Sequence, residues 1–145
     1  MTERRIVVGI DGSEGARAAV QWASAYAPLL DAEIIAVHSM DVSMAVPPPT
    51  VAMTPFVVDD DLRAAMREAL HVWCAPLRDA GVRYRAELYE GNPVGAIAQV
   101  AEAEQAALIV VGRRGHGGFA ELVLGSVPHS LAHHATVPVV IVPRS

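Results

Sequence analysis

The chain predicts an α/β fold in three layers, an open parallel sheet with helices on both faces. Short apolar, β-branched runs of the kind that form fully buried strands recur along it. Between them lie longer stretches with apolar residues at helical spacing, and this alternation is the signature of parallel β-α units. At 145 residues, 52 % apolar and 19 % charged, the chain is expected to form a single domain, 1–145, with a real core.

The elements follow in order. Arg5–Ile10 reads as the first buried strand, and Ser13 is a plausible N-cap for a helix over Glu14–Leu30, with Ala16, Ala19, Val20, Ala23 and Ala27 on one face. Glu33–Ser39 is the second strand. Met40–Val58, with Pro47-Pro48-Pro49 and Pro55, carries no element; a segment of that length is expected to be a flexible loop, either a stiffened lid or a simple connection. Asp59-Asp60-Asp61 complements the start of a helix over Leu62–Ala80, with a kink expected at Pro76 and a stop at Gly81. Val82–Tyr89 alternates, with Val82, Tyr84, Ala86 and Leu88 on one side and Arg83, Arg85, Glu87 and Tyr89 on the other, as an edge strand with one solvated face would. Asn92-Pro93 opens a helix over Pro93–Glu104. Ala107–Gly112 and Val137–Val142 are the last buried strands, and Ser126 is expected to cap the helix between them.

Composition excludes several functions. Net charge is −5, and Arg4-Arg5 and Arg113-Arg114 are the only basic doublets, so a nucleic-acid partner is not expected. The chain has no lysine, which removes a Walker A lysine and Schiff-base chemistry. Cys74 is the single cysteine and lies in an apolar helical stretch, so it is read as a buried structural thiol. No signal-like segment and no apolar span near about 18 residues occurs, so no membrane partner and a cytoplasmic location are expected.

Two segments carry candidate chemistry. Asp11 falls just past the carboxyl end of the first strand, where open α/β sheets collect ligands. It can accept from an adenine amino group or a ribose hydroxyl, or serve as an Asx-turn residue for the first helix. The second segment runs from Gly112-Arg113-Arg114-Gly115-His116-Gly117-Gly118 to Gly125-Ser126-Val127, a glycine-rich loop leading from a buried strand into a helix N-terminus. Glycines let backbone N–H groups approach an anion, and the helix start adds donors and a partial positive charge. His129 and His133 form an i, i+4 pair, but no third ligand is evident, and no metal site is assigned. Asp11 and His38 end adjacent strands without anything that marks a substrate, so no catalytic residue is assigned.

The G-x2-G-x9-G-S spacing of that loop resembles the nucleotide loop of the universal stress protein family. So do Val7-Val8-Gly9-Ile10-Asp11-Gly12-Ser13, Ala36-Val37-His38 and Val137-Pro138-Val139-Val140-Ile141-Val142, and the likeness spans the chain. The resemblance implies a Rossmann-like, adenine nucleotide alpha hydrolase-like sheet of strand order 3-2-1-4-5 with ATP across the carboxyl ends of strands one and four. Gly9, Ile10 and Asp11 would then frame base and ribose, with Gly9 permitting close approach and Val37 closing the adenine pocket. Gly112 to Gly118 would wrap the phosphates, and Gly125, Ser126 and Val127 would hold them. Arg113, Arg114 and His116 fill variable positions that either touch phosphate or face solvent. AMP or a cyclic nucleotide is an alternative ligand, and magnesium is expected only in the company of bound ATP. The resemblance also implies a homodimer through the last strand, 137–142, whose apolar edge invites pairing. The function it implies is a nucleotide-dependent regulatory module of the stress response with an unknown protein partner. A nucleotide-independent scaffold and a slow ATP hydrolase are the alternatives.

Overall fold

A computed structural model describes residues 3–41, 58–113 and 124–144. The elements in chain order are β1 (Arg4–Gly9), α1 (Glu14–Tyr26), a 3-10 turn (Pro28–Leu30), β2 (Ala32–Met40), α2 (Asp60–Trp73), α3 (Ala75–Asp79), β3 (Tyr84–Glu90), α4 (Pro93–Ala103), β4 (Leu108–Gly112), α5 (Ser126–His134) and β5 (Val139–Val142). The strands form one five-stranded parallel sheet in the order β3-β2-β1-β4-β5. This is the expected Rossmann-like arrangement. The chain winds outward from β1 through β2 to β3, then crosses back to lay β4 on the other side of β1, so the winding reverses between β1 and β4.

Strand alternation sorts the core into two layers. Ile6, Val8 and Ile10 pack with Ala19, Val20 and Ala23 of α1 and with Leu70, Cys74 and Leu77 of the α2–α3 pair. Val7, Ile35, Val37, Ile109 and Val111 face the other way, onto Ile97, Val100 and Ala101 of α4 and Leu131 of α5. β3 is the edge strand its alternation predicts. Tyr84 packs against the first layer, whereas Arg85 joins Glu33, Glu87 and Glu104 in a part-exposed ionic cluster that also includes Arg5.

β3 begins at Tyr84, two residues later than the alternation predicts, and three further boundaries differ from expectation at a proline. α1 ends at Tyr26 rather than Leu30, and Pro28 opens the 3-10 turn, which closes on Asp31 in the left-handed region at φ 50°. The helix expected over Leu62–Ala80 is two helices, because Pro76 has no N–H to give and its ring crowds the preceding turn. The chain breaks at Cys74 and restarts with Pro76 in the first turn of α3. β5 begins at Val139 rather than Val137, yet the Pro138 carbonyl still accepts from Ile109 N–H at 2.9 Å. Most of the proline-rich segment expected over 40–58 lies outside the described residues. Among the described residues no helix is long and apolar enough to cross a membrane.

One contact sets α1 against the sheet. A Cβ placed on Gly112, at the end of β4, would lie 2.3 Å from the carbonyl carbon and oxygen of Gly15 in the first turn of α1. Backbone meets backbone there, with no flexible side chain to give way. Gly112→Ala is therefore expected to lower the unfolding free energy by about 3 kcal/mol, the upper end of ordinary overpacking costs. Urea denaturation checks this, and a loss below about 0.5 kcal/mol, the scale of a neutral surface change, would contradict the contact.

Candidate functional site

The carboxyl ends of β1 and β4 lie side by side, and the segments that leave them build the site. After β1 the chain is held from β2. Ile10 N–H donates to Val37 O at 2.9 Å, and His38 Nδ1–H donates to Ile10 O at 2.7 Å. Asp11 follows, half-buried, and its Oδ1 accepts from both the backbone N–H (3.0 Å) and the hydroxyl of Ser13. Ser13 Oγ in turn accepts from Ala16 N–H at 3.1 Å and caps α1. Asp11 thus fills the Asx-turn role, and that turn fixes where its carboxylate stands. Gly12 makes the turn with φ +80°, a conformation that side chains other than glycine rarely adopt.

After β4 the chain leaves the sheet and comes back to the same point. Arg113 N–H donates to Val142 O at 2.8 Å, continuing the ladder with β5, and Arg113 O accepts from Gly125 N–H at 2.8 Å. That second bond joins the two ends of the glycine-rich loop. Arg114, Gly115, His116, Gly117 and Gly118 lie outside the described residues.

α5 starts immediately after the closure. Its N-cap is Gly125, not Ser126, and among the described residues no side-chain oxygen caps the helix. Gly125 is extended, at φ −70° and ψ 172°, so this glycine does not supply a left-handed turn. Ser126 is the first helical residue, and with Pro128 lacking an N–H, Ser126 and Val127 carry the forward-pointing donors of the first turn. Arg113, whose carbonyl holds Gly125, has its Nε buried without a hydrogen-bond partner among the described residues. A helix start without a side-chain cap and an unmatched guanidinium N–H both fit an anionic group.

Two other expected site residues, Val37 and Gly9, pack inside the fold. Val37 is 1 % exposed and its side chain packs under α4. The alternation of β2 turns Val37 inward to the α4 layer, and its neighbour His38 meets Ile10 and Trp73 instead. Gly9 leaves room for a side chain of the protein, since a Cβ there would lie 2.7 Å from Cδ1 of Ile97. Sequence reasoning missed Trp73, whose indole sits over Gly12, and the β-turn glycine between Asp11 and Ser13 was its only signal. Cys74 is fully buried, and burial pushes its thiol up to about 11, so it is no nucleophile at neutral pH. The rings of His129 and His133 meet edge-on at 4.7 Å, and among the described residues no three His, Cys, Asp or Glu side chains converge on a metal-sized position.

Asp11→Ala removes both bonds to Ser13 and is expected to lower the unfolding free energy by about 1–2 kcal/mol, the scale of a lost cap. Asp11→Asn keeps an acceptor for the same turn and is expected to cost less than about half of that. Equal losses for the two variants in urea denaturation would show that the Asx turn does not hold the β1–α1 connection.

The family model described as the universal stress protein family matches residues 3–143. A universal stress protein of Methanocaldococcus jannaschii is 32% identical over 141 residues, spanning 97% of this chain and 82% of the relative. One from Thermus aquaticus is 34% identical over 140 residues, spanning 96% and 98%. Mycobacterial relatives are longer, and the chain spans about half the length of each. A universal stress protein solved in complex with cAMP superposes with a TM-score of 0.73 at 27% identity, covering 100% of both chains. With its sheet order, its whole-length match and these relatives, the chain belongs to the universal stress protein family.

Proposed function

We propose that the chain, as one domain over 1–145, binds an adenine nucleotide at the joined ends of β1 and β4. The observation that carries this reading is the Gly125–Arg113 closure, which returns the start of α5 to the end of β4, the strand paired with the β1 that leads into the Asp11 turn. On this reading Ser126 and Val127 N–H groups and the Arg113 guanidinium meet the phosphates, with the glycine-rich loop from Gly112 to Gly118 around them. Ile10 and Asp11 stand at the base and ribose end. The complex of a 27% identical relative with cAMP supports an adenine nucleotide as the ligand class. ATP is the ligand the loop spacing favours, with AMP and cyclic nucleotides as its competitors. The nucleotide is then a bound signal rather than a substrate, because a backbone cradle binds ground and transition states alike. The module would report adenylate state to a partner protein.

Mass spectrometry of nucleotide extracted from the purified protein, together with calorimetric titration with ATP, AMP and cAMP, tests the reading. An adenine nucleotide in the extract or a saturable titration is expected. A sharper test is Ser126→Pro. Proline is well tolerated at the first helical position, and the extended Gly125 before it is compatible, so the fold should persist while one phosphate donor disappears. Affinity should fall by about tenfold or more, the scale of a lost hydrogen bond to a charged group. Unchanged affinity in the folded variant would contradict the helix-start cradle.

We further infer a homodimer through β5. Among the described residues β5 pairs only with β4. The Pro138 and Val142 carbonyls face β4, so by strand alternation the backbone groups of Val139 and Ile141 face away from it. An apolar edge of that kind favours isologous pairing with a second copy. Light scattering should find a dimer at tens of micromolar protein. Ile141→Pro removes an outward N–H while sparing the β4 ladder and should shift the protein to monomer. A wild-type monomer would contradict the dimer.

A further inference from the structure

We propose that Trp73 is a positioning residue for the nucleotide site, its indole holding the β1–α1 turn in the shape that presents Asp11. The proposal rests on the nucleotide reading above and adds to it a residue from a different element, 62 positions away in the chain from Asp11. A Cβ built on Gly12 would lie 2.5 Å from Cζ2 of Trp73 and 2.8 Å from Cε2, so the indole covers the Gly12 Cα directly. The same ring meets His38 edge-on, with centroids 5.2 Å apart and planes at 81°. His38 in turn donates to the Ile10 carbonyl at 2.7 Å. The residues on both sides of Asp11 are thereby held by one aromatic pair, Ile10 through His38 and Gly12 through the indole.

The ring itself has a fixed base. Trp73 is the last residue of α2, and Leu70, Cys74 and Leu77 around it are at most 3 % exposed. Its indole is only partly buried and forms one wall of an open groove of about 460 Å³ that Ile10, Gly12 and Ser13 also line. One side of the indole packs against the apolar core. The other lies on the left-handed Gly12, next in the chain to Asp11, and borders the groove among the described residues. The turn beneath it has to keep its form when the groove and strand ends are solvated, and preorganisation of that kind raises affinity by lowering the ordering cost of binding.

The test compares wild type with Trp73→Phe, Trp73→Ala and Trp73→Leu, the last serving if the alanine variant does not fold. Two quantities are read: the hydrogen-exchange rate of the Ser13 amide, which donates to Asp11, and the affinity for AMP by calorimetry. Trp73→Ala or Trp73→Leu should speed Ser13 exchange by about tenfold while leaving the Val8 amide in central β1 unchanged, a local opening rather than global unfolding. AMP affinity should fall by about fivefold, and Trp73→Phe, which keeps a flat ring over Gly12, should rescue both. Ser13 exchange and AMP affinity that stay at wild-type values in the alanine or leucine variant overturn the proposal alone. Exchange that rises equally at Ser13 and Val8 also overturns it, since the ring would then serve global stability. A wild-type protein that fails to bind AMP overturns the nucleotide reading, and this proposal with it.

Discussion

The backbone contact between Gly112 and Gly15 governs the geometry of everything at the ligand-facing end of this sheet. Parallel β-α units leave the spacing between a helix and its sheet to the side chains between them. Here β4 and the first turn of α1 approach with no side chain between, since a Cβ on Gly112 would come within 2.3 Å of Gly15. The start of α1 is thereby drawn onto the end of β4. The Asp11–Ser13 turn, which caps α1, and the Arg113–Gly125 closure, which follows β4, become neighbours for that reason. A bulkier residue at Gly112 would separate the two halves of the candidate site before it touched any ligand.

Asp11 shows how structure and recognition share one group. Its Oδ1 is committed to Ser13, and through Ser13 to Ala16, so the carboxylate is a part of the helix cap. A cap of this kind holds the carboxylate in one place without spending a second residue to orient it. The stability of α1 and the placement of the carboxylate are consequently coupled, and variants at this position must be read with a stability measurement beside any binding measurement. The same economy appears at α5, where the N-cap is a glycine with no side chain to offer. The absence of an internal cap leaves the first-turn donors to whatever occupies the loop.

Local pattern made most of the sheet readable. Continuous apolar runs identified β1, β2 and β4 as buried on both sides, and the alternation of Tyr84 with Arg85 and Glu87 identified β3 as an edge. Motif resemblance supplied the strand order, which no periodicity encodes. Three of the boundaries that shifted, at Pro28, Pro76 and Pro138, are places where proline chemistry competes with a continuing apolar pattern. The positions of Asp11 and of the Gly125-Ser126 junction at strand and helix ends were legible from the pattern around them, although the cap proved to be Gly125 and not Ser126. Which way Val37 faces was not legible, because the phase of a buried strand, apolar on both faces, cannot be read from the strand itself. Trp73 was invisible for a different reason. Its contact with Gly12 joins α2 to the β1–α1 turn across the fold, and a one-dimensional pattern shows only that each residue is unusual for its own element.

The central claim is that a nucleotide sits where the ends of β1 and β4 meet the start of α5. Titration of isotopically labelled protein with AMP, followed amide by amide in NMR spectra, tests it most directly. The account predicts shifts clustered at residues 10–13, 112–113 and 125–127, with the β3 edge and the far ends of the strands unmoved. Shifts confined to the β3 edge or to the groove between α1 and α3, or no shifts at saturating AMP, would contradict it.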